Sequence, residues 1–381
     1  MKKVQNMTVR DKSAVTGKDN LEHLYTLKDF PVFMGCVDTP QEDDFVADMI
    51  WDICKDTGII QLRELPPLEI LYTNQHNDGT GKVWQDHYAA FAEFLHEFKP
   101  KNILEIGGAH DYIFQNYEKL DPNINWTTVE PNPEHITSEK IKVVKAWFDD
   151  KFTINSPVDT VIHSHVFEHM FEPMQFIKHI SGFLKKGQRH VFAFPNFLPM
   201  LQNKWTNCLN FEHTVFLTEE ITDFIMKREG FIVLKKQYYG NAHSIFYATE
   251  KGDVPSKLLA LPNKYDEYKN LYTDYVNYHL DMVNKLNSLV EKSENPVYLF
   301  GAHIFSQTLI QFGLETDSIV SILDNSSIKQ GKRLYGTGFT VESPKILKDK
   351  GPVNVILKVA SYDAEIKKDI LENINPEVTF W

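Results

Sequence analysis

Four things are scarce in this 381-residue chain. Cysteine occurs three times, at Cys36, Cys54 and Cys208. An odd number of widely spaced thiols builds no disulfide framework and suits a reducing compartment. Positive charge is in deficit: 40 Lys and Arg stand against 52 Asp and Glu, a formal net charge of -12. Binding to a nucleic-acid backbone needs clustered cations, so that class of partner is excluded. No apolar run approaches the roughly 20 residues of a membrane span, and the N-terminal Met-Lys-Lys-Val-Gln-Asn lacks the apolar core of a signal peptide. These readings place the protein in the cytoplasm, away from membranes. Glycine is missing where a dinucleotide fingerprint would demand it. After the run Lys101-Asn-Ile-Leu-Glu-Ile-Gly-Gly-Ala109, Ala109 and Asp111 stand where second and third glycines would let a pyrophosphate approach the backbone.

That run is nevertheless a strand delivering a glycine turn. It is answered by Trp126-Thr-Thr-Val-Glu-Pro131, a second strand whose acid, Glu130, follows Glu105 by 25 residues. An acid there accepts hydrogen bonds from ribose hydroxyls. A cofactor with an adenosine, an amino-acid tail and no phosphate relaxes the glycine demand. Glu105 would repel a pyrophosphate and tolerate a cationic sulfonium. Residues 100–255 therefore read as a domain using S-adenosylmethionine (SAM, giving S-adenosylhomocysteine, SAH), with Glu105, Gly107, Gly108 and Glu130 at the cofactor. The competing reading of Glu130 is a helix-capping acid before Pro131-Asn-Pro133.

Periodicity supplies the rest of the domain. Strand-like runs recur at Lys142–Val144, Thr160–His163, His190–Phe194, Phe231–Lys235 and Ser244–Ala248, with a turn signal at Tyr239-Gly-Asn-Ala242. The expected fold is α/β: a seven-stranded class I SAM-methyltransferase domain closed by an antiparallel pair. A small N-terminal module and lid loop occupy 1–99, with 1–25 polar and poorly ordered. In the module, Trp84, Tyr88, Phe91, Leu95 and Phe98 form a helical stripe that reads as core. A connecting helix over 263–292 and a second Rossmann-like unit occupy 256–381. Its strands are Val297–Phe300, Ser321–Asp324 and Asn354–Val359.

From about residue 30 onward the chain resembles the three-part sugar C-methyltransferases. In that family a small zinc module precedes a SAM domain and a Rossmann-like domain ends the chain. Cys54-Lys-Asp-Thr-Gly-Ile-Ile-Gln-Leu62 lies where the family has its second Cys-x-x-Cys and Gly-Leu-Val-Gln-Leu. Leu104-Glu-Ile-Gly107 matches the SAM motif, and Asn210-Phe-Glu-His213 matches a catalytic Tyr-His-Glu-His segment. Gly301-Ala302, Asp324, Lys329-Gln-Gly-Lys-Arg333 and, loosely, Tyr335-Gly-Thr-Gly338 match the last domain. The resemblance implies methyl transfer to a sugar, hexose or heptose, carried on a nucleoside diphosphate. Surface-polysaccharide or glycoconjugate synthesis, such as capsule heptose O-methylation, would suit it.

Three departures modify that expectation. Thr57 replaces a thiolate and no Cys-x-x-Cys precedes it, so no structural zinc is expected, and the Trp84–Phe98 helix is left to hold the module. Asn210 and Phe211 replace the Tyr and first His of the catalytic segment. The glycine turn is altered. Methylating carbon needs donors that stabilise an enolate, whereas a hydroxyl needs a base and an in-line methyl. O-methylation is therefore favoured, and C-methylation of a keto-deoxysugar stays open. The sequence also admits a nicotinamide-dependent sugar oxidoreductase or a non-catalytic SAM-binding protein.

The catalytic assignment is His213 as base, Glu212 to orient it, and His165 facing the methyl-transfer pocket. His163, Trp147 and Phe148 join the cofactor set, the aromatics for adenine. Glu168-His169 are read as orienting their loop. A metal on His163, His165, Glu168 and His169 is disfavoured by spacing, so no metal is expected. Tyr72 and His76, in and beside the loop Asn74–Gly81, are assigned to substrate with Asn196 and Asn210. Lys329 and Arg333, in the local basic patch with Lys332, are assigned to its phosphates. Monomer and homodimer both remain open.

Overall fold

Short apolar runs between residues 102 and 251 pair into one seven-stranded sheet. The computed structural model describes residues 1–72, 81–133, 135–240, 243–257 and 260–381. Across the sheet the strands lie in the order Ile141–Val144, Asn125–Val129, Asn102–Ile106, Thr160–Ser164, Arg189–Pro195, Ser244–Lys251 and Phe231–Tyr239. Counted along the chain this is 3-2-1-4-5-7-6. The first five strands run parallel. The last two form an antiparallel hairpin whose second strand inserts beside the fifth. This is the expected mixed α/β architecture. The order in which strands are added reverses between strands 1 and 4, so their carboxyl ends open a crevice where ligands gather.

Side chains alternate across this sheet as the pleat requires. Ile103 and Ile162 face one layer, with Phe91, Phe94, Leu95 and Phe114. Leu104 and Val161 face the other, with Phe176, Ile177, Ile221 and Ile225. The helix Lys82–His96 thus belongs to the methyltransferase layer. It does not hold the N-terminal module together, because its apolar stripe is spent on the central sheet.

The module is held from the other side. Its sheet pairs Leu21–Pro31, Lys2–Lys3 and Ile60–Leu62 with Phe45–Cys54. Residues 1–25 are not a loose tail: they pair in strands and bury Val4, Arg10, Ser13 and Val15. Trp51 and Phe30 of the module share one core with Tyr268, Tyr272, Tyr275 and Val283 of the helix Tyr265–Glu291. Val297 and Leu299 of the C-terminal sheet complete it. The Cys54–Gly58 turn that would carry zinc survives as a packing turn. Gly58 has φ +83°, and a Cβ there would meet the Lys264 backbone at 2.6 Å.

The C-terminal unit is a five-stranded parallel sheet, ordered Val341–Glu342, Ile319–Leu323, Val297–Phe300, Val353–Leu357, Val378–Phe380. A short ladder between Cys36–Val37 and Arg333–Leu334 ties it to the module. Gln307 Nε2 crosses the same boundary, donating to the Phe33 and Tyr335 carbonyls at 2.9 Å each. Among the described residues, no helix is long and apolar enough to cross a membrane.

Candidate active site

The strand Asn102–Ile106 ends in a turn with no spare room. Gly107 has φ +72°, and a Cβ on it would strike Val166 at 2.7 Å. A Cβ on Gly108 would strike the Glu105 carboxyl at 2.5 Å. Glu105 therefore braces the turn from beneath. It is buried, and Trp126 Nε1 and Thr128 Oγ1 each donate to its Oε2 at 2.9 Å. Burial pushes its pKa up to about 7. Its assignment changes from a cofactor contact to a support of the cradle.

Glu130 ends the neighbouring strand and is nine-tenths buried. Its Oε1 accepts from the Asn132 N–H at 2.8 Å, which fixes the carboxylate without a helix to cap. Burial raises its pKa. A tight glycine turn, left-handed at Gly107, beside a fixed buried acid fits an adenosine-bearing cofactor: the backbone can come close and the acid takes the ribose hydroxyls. Glu130→Ala is expected to weaken SAM binding by about 1–3 kcal/mol in calorimetry. Unchanged affinity would move the acid role to Asp149 or Asp150.

Three further cofactor assignments are corrected or narrowed. His163 is fully buried, its Nε2 2.9 Å from His190 Nε2 and its ring against Phe192 and Phe176. It is a core histidine. Burial drives its pKa well down, so it sits neutral among aromatics. Phe148 packs into a cluster of Phe152, Phe176, His179 and Phe183, so its faces are engaged. Trp147 is half exposed and stands open to a ligand.

The loop after Phe197–Gln202 carries Glu212 and His213. Asn210 builds it: its Oδ1 accepts from the backbone N–H of Glu212 (2.9 Å) and His213 (2.8 Å). Asn210 is buried, so it shapes the loop and is not a substrate contact. Phe211 is buried too, edge-on to Phe30. His213 Nδ1 lies 3.1 Å from the Cys208 carbonyl and 3.0 Å from Asn210 Nδ2. These two neighbours call for opposite tautomers: an Nδ1–H donates to the Cys208 carbonyl and presents a bare Nε2, whereas a bare Nδ1 accepts from the Asn210 amide. Desolvation outweighs the nearby carboxylates and lowers the His213 pKa to about 4, which keeps the ring neutral.

Glu168 and His169, which follow the strand Thr160–Ser164, meet this loop. His169 Nδ1 is 3.4 Å from Glu212 Oε2 and 3.1 Å from the Tyr72 hydroxyl. Desolvation, then the Glu212, Glu168 and Glu130 carboxylates, holds Tyr72 protonated well above its usual range. Tyr72 is thus joined through His169 to the loop that carries Glu212. Asn196, half-buried at the start of Phe197–Gln202, lies at the carboxyl end of its strand. His76 and most of the Asn74–Gly81 loop lie outside the described residues.

His165 reaches two groups: its Nδ1 lies 3.3 Å from Glu168 Oε1, and its Nε2 turns to a second cluster. Its φ is +54°, a left-handed conformation unusual for a side-chain-bearing residue. Its Nε2 is 2.9 Å from Ser244 Oγ, which also meets His243 Nδ1 (2.6 Å) and His87 Nδ1 (3.4 Å). This hub joins the strand end, the hairpin and the helix Lys82–His96. Sequence reasoning misses it because its three histidines lie 78 residues apart along the chain at each step.

The C-terminal assignments fail for one reason: both cations already have anions. Lys329 Nζ is 3.1 Å from Asp324 Oδ2, which also accepts from the Ala302 N–H. Arg333 makes a two-pronged contact with buried Asp44 at 2.6 and 2.7 Å. Neither is offered to substrate phosphates.

Comparison with known families agrees with this construction. Residues 78–236 match the family described as a methyltransferase domain, and residues 260–377 match a C-methyltransferase C-terminal domain. The chain is a SAM-dependent methyltransferase, built from those two domains behind its N-terminal module. Solved structures resemble its methyltransferase unit. The plantazolicin methyltransferase with a substrate analogue and SAH is 12% identical, with 45% of this chain and 84% of that one covered and a TM-score of 0.36. A putative methyltransferase of Haloferax volcanii, in complex with the Trm112 activator, gives 13%, 46%, 95% and 0.38. A Burkholderia thailandensis 1,6-didemethyltoxoflavin-N1-methyltransferase gives 14%, 45%, 82% and 0.35. These likenesses are too slight to bear on substrate. No curated protein matches the chain.

Proposed function

We propose that this enzyme methylates a hydroxyl of a sugar carried on a nucleoside diphosphate, in the cytoplasm, toward a surface polysaccharide or glycoconjugate. SAM supplies a methyl group bonded to a positively charged sulfur. The protein holds it by the glycine turn and Glu130, excludes water, and takes up the acceptor's proton through the Glu212–His213 pair. The C-terminal domain match supports a kinship with C-methyltransferases.

One observation favours oxygen over carbon as acceptor. Asn210 and Phe211, at the positions where the resembling family carries donors, are turned into the loop and the core. An enolate would find neither of them to hold it, whereas a hydroxyl requires a proton acceptor and alignment. Incubation with SAM and a panel of nucleotide-sugars, read by mass spectrometry, is expected to show the gain of one methyl. Proton NMR of the product should place it on oxygen. A methyl on carbon would overturn the acceptor assignment, and no gain across the panel would overturn the sugar-nucleotide reading.

A further inference from the structure

Beside the Glu212–His213 pair stands a buried acid that the proposed transfer does not use. Glu168 is fully buried, and neither of its carboxylate oxygens has a hydrogen-bond partner. An unpartnered buried carboxylate is costly. Two imidazoles stand beside its Oε1, His165 Nδ1 at 3.3 Å and His169 Nε2 at 3.6 Å. Glu168, His169 and His213 each offer a ligand atom, and the three atoms lie within 4.8 Å of one another.

Both histidines are steered from behind. His169 turns its Nδ1 toward Glu212 Oε2 (3.4 Å) and the Tyr72 hydroxyl (3.1 Å), which leaves Nε2 on the Glu168 side. His213 has its Nδ1 3.1 Å from the Cys208 carbonyl, and the tautomer that donates there leaves Nε2 for a cation. Outer carboxylates and carbonyls on the far nitrogen are what orient ligating imidazoles and fix their tautomer.

We propose that Glu168, His169 and His213 form a divalent-cation site. Two nitrogens and one carboxylate favour a first-row transition metal such as zinc, cobalt or manganese over magnesium, and three protein ligands leave at least one position open. The assignment departs from the sequence expectation of no metal, which weighs His163 and His165 as ligands and does not bring in His213. The use of the cation rests on the proposed methyl transfer: the open position would take an acceptor oxygen and acidify its O–H. The lone pair of His213 is then spent on the cation, and within the pair the proton passes to Glu212.

A second histidine group in the described residues, His87, His165 and His243, is a control. There the Ser244 hydroxyl already stands among the three nitrogens, at 2.6, 2.9 and 3.4 Å, and satisfies them.

The test is titration of the metal-stripped full chain with Co²⁺, followed by visible ligand-field absorption and by elemental analysis after gel filtration. One cobalt per chain is expected. Glu168→Gln and His213→Asn should each weaken it at least tenfold, and His243→Gln should leave it in place. SAM calorimetry on each variant shows that it is folded. No cobalt band in the wild-type protein, or a wild-type band in Glu168→Gln, would overturn the site. Loss of the band in His243→Gln with retention in Glu168→Gln would move the metal to the other cluster and likewise overturn it. Failure of the methyltransferase reading looks different: cobalt would bind as described while SAM did not.

Discussion

His213→Asn is expected to lower turnover about 10²–10⁴-fold while SAM affinity stays near that of the wild-type protein. The ring is neutral at working pH, because desolvation lowers its pKa to about 4. In the tautomer that donates from Nδ1 to the Cys208 carbonyl, Nε2 is the atom it can offer. Asparagine keeps the size and a polar tip but has no bare imidazole nitrogen to accept a proton or hold a cation. Glu130, on the cofactor side, is untouched by the change, which is why SAM binding should survive. The rival is His165. Burial drives its pKa down to about 3, and its Nε2 is engaged by Ser244. Single-turnover rates of His165→Asn and His213→Asn decide between them. If His165→Asn is dead and His213→Asn keeps more than a tenth of the wild-type rate, the assignment is wrong.

What is legible in the sequence follows from how far each signal reaches. The strands of the central sheet are local runs of apolar residues, and the closing antiparallel pair is announced by the turn signal between its two strands, whereas the order of the strands is seen only in the fold. Glu130 is also local, following directly on its strand, and the Glu212–His213 pair is visible as a short polar motif in the loop after Phe197–Gln202. Burial is not local. His163 alternates correctly along its strand, but only the packing of Phe176, Phe192 and His190 shows that its face is core. Asn210 is visible in the sequence only by its place in a motif, and its role comes from hydrogen bonds to backbone N–H groups two and three residues on. Glu168 is legible as an acid in a polar cluster. That it has no donor of its own is a property of the folded surroundings.

Arg333 is the sharpest case, because its partner lies 289 residues away. Its side chain is 14% exposed and that of Asp44 is 0% exposed. The guanidinium contacts both carboxylate oxygens and also donates to the Thr39 and Thr337 carbonyls at 2.9 Å. Asp44 Oδ2 further accepts from the Gly336 N–H at 2.7 Å. Gly336 has φ +81°, and a Cβ there would meet Pro31 at 2.4 Å, so the close approach of this backbone depends on glycine. Arg333→Ala would leave the Asp44 carboxylate buried with one backbone donor, at the seam between the N-terminal module and the C-terminal sheet. Removing one partner of a buried pair costs about 3–5 kcal/mol, mostly from the charge left behind. That loss should appear in urea unfolding as a midpoint below that of the wild-type protein. Replacing both residues, Asp44→Leu with Arg333→Met, should recover much of it, because no charge is then stranded. The KM for a nucleotide-sugar separates this structural role from the phosphate-binding role suggested by the sequence. It should stay within about twofold of wild type in Arg333→Ala at temperatures where the variant is folded. A tenfold rise in KM with an unchanged unfolding midpoint would restore Arg333 to the substrate and remove it from the seam.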